Sequence, residues 1–213
     1  FTTVISATAV TGEKESRCWP LLLCTTLTDG HILWGKVVGV IRRCWPGWVF
    51  VPVHLLLFTL FGLINPVAWL HLAVIATSVM MMLTGSGLYF SARFRRTTTA
   101  VTVNMGLVLG LWVALPILLA ILSQRSEVLG DLTETAMSAN PVVQAYVVTE
   151  GAGGAKRGIY ATRRVSFDYD WPDSEWDAPK DTTGIVMSTG VVHVVIGLLF
   201  AWRAKCCFRR GVF

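Results

Sequence analysis

The chain has 213 residues, of which 54% are hydrophobic and only 15% are charged, and its formal net charge is +5. A soluble domain of this length needs more polar surface, so the composition indicates a lipid bilayer as the solvent. The positive charge does not indicate a nucleic-acid partner, because the basic residues flank apolar stretches instead of clustering with aromatic residues on one folded face.

Residues 1–45 form a mixed segment that precedes the first long apolar stretch. The segment has neither the basic start nor the apolar core of a signal peptide. Residues 32–41 suit an interfacial helix on the membrane surface, because tryptophans and long basic side chains around them favour the headgroup region. The alternative is an ordered tail without a helix. We predict that this N-terminal segment is cytoplasmic.

Four apolar stretches predict four transmembrane helices, and hence an all-α, multi-pass (tetraspan) membrane protein built as an antiparallel bundle. Each is close to the roughly 20 residues that a helix needs to cross a hydrocarbon core. The pair Asn65-Pro66 predicts a tight turn between the first two spans. Pro52 and Pro116 each free a backbone carbonyl inside a span and predict a kink there. The predicted spans are residues 46–64, 66–90, 100–123 and 184–202.

The charges predict the orientation of these spans. Segment 124–183 contains six Lys/Arg and ten Asp/Glu, a net charge of −4, whereas the remaining residues contain twelve basic and three acidic groups, a net charge of +9. The positive-inside rule therefore places both termini in the cytoplasm, including the basic tail 203–213, and segment 124–183 in an extracytoplasmic or lumenal loop. The sequence does not indicate which cellular membrane contains the protein.

The loop 124–183 is predicted to be mostly irregular. Residues 124–139 read as a helical extension, and the β-rich run 141–148 is predicted to pair with residues 160–167 as a small β-hairpin. Residues 167–177 alternate acids and aromatics and lack the spacing of a calcium-binding loop. We predict that this run binds a partner, with packing within the loop as the alternative. The candidate partner-binding residues are Asp168, Asp170, Trp171, Asp173, Glu175, Trp176 and Asp177.

Three of the four histidines lie inside predicted spans. His54 and His193 are predicted at one depth near the middle of the membrane, where two facing imidazoles can bind haem b as axial ligands. His71 lies closer to the outer surface. The alternative is neutral histidines that hydrogen-bond to neighbouring helices, and this alternative, without any cofactor, is the preferred expectation. The spacing of Cys and His residues does not resemble a zinc site.

Small residues predict where the helices approach each other. Gly106 and Gly110 form a GxxxG motif in the third span, and such motifs let helix backbones come close together. They serve either packing among the four spans or lateral association with another membrane protein or a second copy. Further small residues occur in the second and fourth spans: Ser78, Gly85, Gly87, Gly184, Ser188, Gly190 and Gly197.

All five cysteines fall on the predicted cytoplasmic side, so we expect free thiols. They are Cys18, Cys24, Cys44, Cys206 and Cys207. The last two follow the fourth span within a basic cluster, a setting typical of S-acylation. Two unmodified thiols are the alternative.

The sequence gives little support for catalysis. It contains no nucleophile-elbow, zinc-protease, P-loop or dinucleotide-binding motif. The interiors of the predicted spans lack Asp, Glu, Lys and Arg, which argues against an ion-coupled transporter or an intramembrane acid–base enzyme. We therefore predict a non-enzymatic protein that organises other membrane components or is an accessory subunit of a membrane complex, with loop 124–183 as its recognition surface. The alternative is a haem-binding electron-transfer anchor. The expected partners are the lipid bilayer and other membrane proteins, without nucleic acid.

Overall fold

The computed structural model describes residues 1–18, 24, 27–61, 67–123, 127–154 and 182–208. In this part of the chain all regular structure is helical and no strand occurs. The helices are α1 (Thr2–Thr8), α2 (Thr11–Glu15), α3 (Asp29–Leu60), α4 (Val67–Arg93), α5 (Thr97–Leu109), a π-helical turn (Gly110–Ala114), α6 (Leu115–Ser123), α7 (Glu127–Ser138), α8 (Pro141–Gly154) and α9 (Thr182–Cys207).

Four helical segments are long and apolar enough to cross a membrane: Asp29–Leu60, Ala68–Arg93, Thr97–Ser123 and Thr183–Cys207. Each corresponds to one predicted span. The finding is consistent with an integral, multi-pass membrane protein and confirms the prediction of a helical fold with four candidate spans. The orientation of the termini stays a prediction.

The first candidate span begins earlier than predicted. Helix α3 starts at Asp29 and continues through Pro46 and Pro52, so Lys36, Arg42 and Arg43 lie within it. Residues 32–41 are therefore helical as part of this long helix, and their position at the membrane interface stays a prediction. A proline removes one backbone hydrogen bond, which a long helix can lose without ending. The predicted turn at Asn65-Pro66 lies outside the described residues.

The C-terminal end of α3 lies beside the beginning of α4. The indole N–H of Trp69 donates a hydrogen bond to the hydroxyl oxygen of Thr59 at 2.8 Å. This contact is the one expected of two consecutive antiparallel spans, and it places an indole and a hydroxyl together near the end of the hairpin.

The predicted β-hairpin is wrong in its first strand, because residues 141–148 belong to helix α8. Asn140 caps this helix: its Oδ1 accepts the backbone N–H of Val142 at 2.9 Å. Pro141 occupies the first helical position, where its missing N–H costs nothing. Val147 and Val148 are buried in this helix, and such tertiary packing outweighs the β-propensity of valine. The proposed partner strand, 160–167, lies outside the described residues.

The described residues 127–154 of segment 124–183 are mostly helical and not irregular. Helix α7 confirms the predicted helical extension and packs against α6. A second helix, α8, follows it.

The described chain forms two compact units. One contains Phe1–Pro46, Val79–Gly110 and Val192–Phe213, and the other contains Gly47–Ser78 and Leu111–Val191. The core of the first unit is a cluster of buried apolar side chains from α3, α4, α9 and the residues beside α2. Its members are Val10, Ile32, Leu33, Leu88, Ala92, Ala204 and Phe208.

Candidate functional site

Helices α4 and α9 run in the same direction and contact each other at matching positions. His71 Nε2 lies 3.0 Å from Thr183 Oγ1, a residue 112 positions later. One heptad further along both helices, a Cβ added to Gly190 would lie 3.8 Å from Ser78 Cβ. Both contacts lie within the second unit. A repeat of seven residues with small side chains is typical of close packing between membrane helices.

In the first unit, the same register of α4 against α9 recurs at Gly85 and Gly197. A Cβ added to Gly85 would overlap the carbonyl group of Gly197. A Cβ added to Gly197 would lie 2.7 Å from the carbonyl oxygen of Met81, which is closer than real side chains approach. The prediction that small residues bring these helices together is thus confirmed at Gly85, Gly190 and Gly197. Gly184 and Ser188 are exposed instead.

The N-terminal helix α1 packs directly on α4. Ser6 is fully buried, and its hydroxyl donates to the carbonyl oxygen of Leu83 at 3.0 Å. A Cβ added to Gly87 would overlap the Ser6 side chain, so Gly87 lets α1 approach the backbone of α4. Helix α1 therefore packs against α4 within the first unit and is not a peripheral tail, which the sequence did not predict.

Asn104 is the polar residue that joins α1, α4 and α5. Its Nδ2 donates to the carbonyl oxygen of Thr3 at 3.0 Å, and its Oδ1 accepts the hydroxyl of Ser86 at 2.9 Å. All three of these residues are buried. An asparagine inside an otherwise apolar span is the sequence signal that this face contacts other polar groups.

Three consecutive charged residues at the end of α2 join the first unit together. Glu13 forms an ion pair with Lys36 of α3. Lys14 Nζ donates to the carbonyl oxygens of Ser91 at 3.2 Å, of Ala92, and of Phe94 at 3.1 Å. These carbonyls lie at the C-terminal end of α4, where backbone acceptors lack helical partners and the helix dipole favours a cation.

Burial changes the protonation of Lys14. Burial, together with the nearby charge of Arg95, lowers the pKa of the ammonium to about 8. Both causes disfavour the charged form of the amine. Lys14 therefore gains or loses its charge in a pH range where an exposed lysine stays protonated.

Glu15 contacts the next helix. Its Oε1 accepts the backbone N–H of Thr97 at 2.7 Å, and its Oε2 accepts the Thr97 hydroxyl at 2.8 Å. The backbone hydrogen bond, followed by the hydroxyl, lowers the pKa of the carboxyl group. The carboxylate thus satisfies a free N–H at the start of α5, where the helix dipole favours an anion.

Asn140 and Gln144 join the helices of the second unit. The Asn140 Nδ2 donates to the carbonyl oxygen of Trp112 at 2.7 Å. Pro116, four residues later, has no backbone N–H to donate to this carbonyl. Gln144 Nε2 donates to Thr189 Oγ1 of α9 at 3.0 Å, and only 2% of Gln144 is exposed.

The three histidines in the candidate spans have different surroundings. His71 is fully buried, and its Nε2 lies 3.0 Å from Thr183 Oγ1 of the neighbouring helix α9. His193 is also buried. His54 is exposed on α3, and its Nδ1 lies 2.9 Å from the carbonyl oxygen of Phe50. Binding of haem b by His54 and His193 stays a prediction. Within the described ranges, no three His, Cys, Asp or Glu side chains are grouped to hold a metal ion.

The GxxxG motif lies on an open surface. Gly106 is exposed, and no described atom lies within 4 Å of a Cβ added to Gly106 or to Gly110. Packing among the described spans therefore does not use this motif, in contrast to the glycines of α4 and α9.

The remaining predicted sites are placed only in part. All five cysteines are free thiols; Cys44 is buried, whereas Cys206 is exposed at the end of α9 with Cys207 half-buried beside it. S-acylation of this pair stays a prediction. The predicted partner-binding residues between Asp168 and Asp177 lie outside the described residues.

No protein-family model, curated protein or solved structure matches this chain. Its function is therefore inferred from the residues and contacts described above.

Proposed function

We propose that this chain is a non-enzymatic multi-pass membrane protein that organises other membrane components or serves as an accessory subunit of a membrane complex. One observation carries the proposal. Gly85, Gly190 and Gly197 pack against other helices of this chain, whereas Gly106 and Gly110 face open space. The face of α5 and the start of the π-helical turn that carries these two glycines, named the α5 glycine face, is the surface on which another transmembrane helix packs.

The surroundings of the α5 glycine face support this proposal. Asn104 and Ala100, on another side of the same helix, are buried, and Asn104 contacts α1. Only 6% of the most apolar stretch of Thr97–Ser123 is buried. Without a hydrophobic driving force in lipid, helices associate where small residues permit close backbone contact. The α5 glycine face offers that contact without disturbing the internal packing.

Segment 124–183 is the proposed recognition surface outside the bilayer. Its net charge of −4 contrasts with +9 in the rest of the chain, and its alternating acids and aromatics suit a basic partner surface. In its described part, Asn140 and Gln144 anchor the segment to the second unit. Both termini are proposed to be cytoplasmic, on the basis of the same charge distribution.

Crosslinking in native membranes, followed by a native gel in mild detergent, tests the proposal. The wild-type chain should migrate in an assembly larger than the monomer. Gly106→Leu should reduce the crosslinked fraction several-fold, because a branched side chain separates the helix backbones. Ala73→Leu, at an exposed small residue of α4, is the matched control and should leave the assembly unchanged. Monomer alone in the wild type, or equal assemblies in wild type and Gly106→Leu, would contradict the proposal.

A further inference from the structure

The first unit contains an apolar groove of about 360 Å³ between α3, α4 and α9. At one end it is lined by Gly30, Leu88 and Lys205, and at the other by Ile41 and Met81. Gly30 and Ile41 are eleven residues apart on one helix, so the groove is roughly 16 Å long. Its walls are almost entirely hydrocarbon side chains, which water does not solvate well.

The end of the groove at Lys205 has the character of a membrane interface. Trp34 and Trp202 line the groove and are 68% and 59% exposed. Lys205 is the only charged residue among the described residues that line it. No described carboxylate lies within ion-pair distance of its ammonium. Tryptophan and lysine at the end of an apolar surface are typical of the depth at which lipid headgroups begin.

We propose that this groove binds one acyl chain of an anionic phospholipid, whose phosphate pairs with Lys205. The lipid comes from the leaflet at the basic end of the candidate spans. Hydrocarbon is the solvent available to an apolar groove in a bilayer, and the length of the groove suits an acyl chain that starts at the interface. A basic residue between transmembrane helices selects an anionic headgroup over a zwitterionic one.

The position of the charge distinguishes this site from general attraction to anionic lipid. Arg203, two residues before Lys205, is exposed and does not line the groove. A diffuse attraction would depend equally on both basic residues. A defined site depends on Lys205 and on the free space beside Ala201, a residue that lines the groove.

Native mass spectrometry of the full chain in detergent tests this site with two probes, palmitoyl-oleoyl phosphatidylglycerol and palmitoyl-oleoyl phosphatidylcholine. The wild type should retain one phosphatidylglycerol molecule and prefer it by about fivefold, the effect of one basic residue near an anionic surface. Lys205→Gln should remove this preference, whereas Arg203→Gln should keep it. Ala201→Phe should fill the groove and abolish retention of both lipids, whereas Leu199→Phe, at an exposed residue outside the groove, should retain them.

Several results would overturn the proposal. They are retention of neither lipid by the wild type, equal retention of both, an equal loss of preference in Arg203→Gln, or unchanged retention in Ala201→Phe. Lys205→Gln changes an exposed residue, so it tests the site even where Ala201→Phe fails to fold.

Thr84 decides whether the occupant is an acyl chain. Its buried hydroxyl lines the groove and has no hydrogen-bond partner among the described residues. An acyl chain forms no hydrogen bond, so Thr84→Val should leave lipid retention unchanged. Lost retention in this variant would instead assign the groove to a ligand with a polar group at that depth. Gly106→Leu should not affect retention, so this site and the proposed lateral association can fail separately.

Discussion

The carboxylate of Glu15 holds Thr97 through two hydrogen bonds, one from the backbone N–H at 2.7 Å and one from the hydroxyl at 2.8 Å, although the residues are 82 positions apart. The preceding residue, Lys14, contacts the carbonyls at the end of α4. Two adjacent side chains of opposite charge thus complement the end of one helix and the start of the next. This arrangement places α2 at the junction between α4 and α5.

Replacing Glu15 with Gln should loosen the start of α5, because a neutral amide binds an N–H more weakly than a carboxylate. Amide hydrogen exchange at Thr97 and the next residues should become faster. Glu13→Gln, which loses the ion pair with Lys36, should leave these amides unchanged. Acid should act like Glu15→Gln. The folded pKa is lowered, so this stabilisation is present above the unfolded pKa and is lost as the pH falls through the folded pKa. Equal exchange in both variants would contradict the capping role.

Lys14 should titrate near pH 8, below the usual value of 10.5. Since the unfolded chain binds more protons between these values, the contribution of Lys14 to the free energy of unfolding should rise with pH from about 8 to 10.5. NMR of the chain labelled with ¹³C at the lysine ε-carbon measures the midpoint, with Lys14→Arg assigning the resonance. Arg95→Gln should raise the midpoint, because it removes a neighbouring positive charge. A Lys14 midpoint near 10.5 would refute the buried position.

Gly197 and Gly106 should respond in opposite ways to the same substitution. Gly197→Leu forces a side chain into the backbone of Met81, and overpacking of this kind costs about 1–3 kcal/mol or more. A Cβ added to Gly106 has no described atom within 4 Å, so Gly106→Leu should change stability little. Thermal unfolding monitored by fluorescence-detected size-exclusion chromatography compares the two. Similar melting temperatures would show that the α4–α9 contact is not as close as described.

Asn140 should contribute more to the free energy of unfolding than its N-cap hydrogen bond to α8 alone provides. Asn140→Ser keeps an N-cap oxygen for α8 but loses the hydrogen bond to the Trp112 carbonyl, which should cost about 0.5–1.5 kcal/mol. Pro116→Ala restores a backbone N–H that can reach this carbonyl. The cost of Asn140→Ser should therefore shrink in the Pro116→Ala background, as a double-mutant cycle of unfolding free energies measures. Purely additive effects would show that Asn140 and Pro116 are not energetically coupled.

Cys18 and Cys206 report the orientation of the chain, because both are exposed. If both termini are cytoplasmic, a membrane-impermeant maleimide should label them in permeabilised but not in intact cells. Cys18→Ser and Cys206→Ser variants identify each labelled site, and the buried Cys44 should stay unlabelled in both conditions. Labelling of either exposed cysteine in intact cells would contradict the predicted orientation.

The residue types in the sequence were enough to identify some of the candidate site residues. A histidine and a GxxxG motif in apolar stretches marked His71 and Gly106 as residues with a specific environment, whereas Asn104 was not singled out. Their partners could not be read in the same way. His71 meets Thr183 and Asn104 meets Thr3 only because separate helices come together in space. The same holds for Lys14 and Glu15, which look like ordinary surface charges in the sequence.

The sequence alone determined the helical fold and the four candidate spans, because the thickness of a hydrocarbon core fixes both the length and the apolar character of a spanning helix. It did not determine the start of α3 or the helical state of residues 141–148, since capping and burial outweigh local propensity there. Nor could it distinguish Gly197 from Gly106. The helix propensity of a glycine is the same in either helix. Only the tertiary structure decides which glycine faces a neighbouring backbone and which one stays exposed.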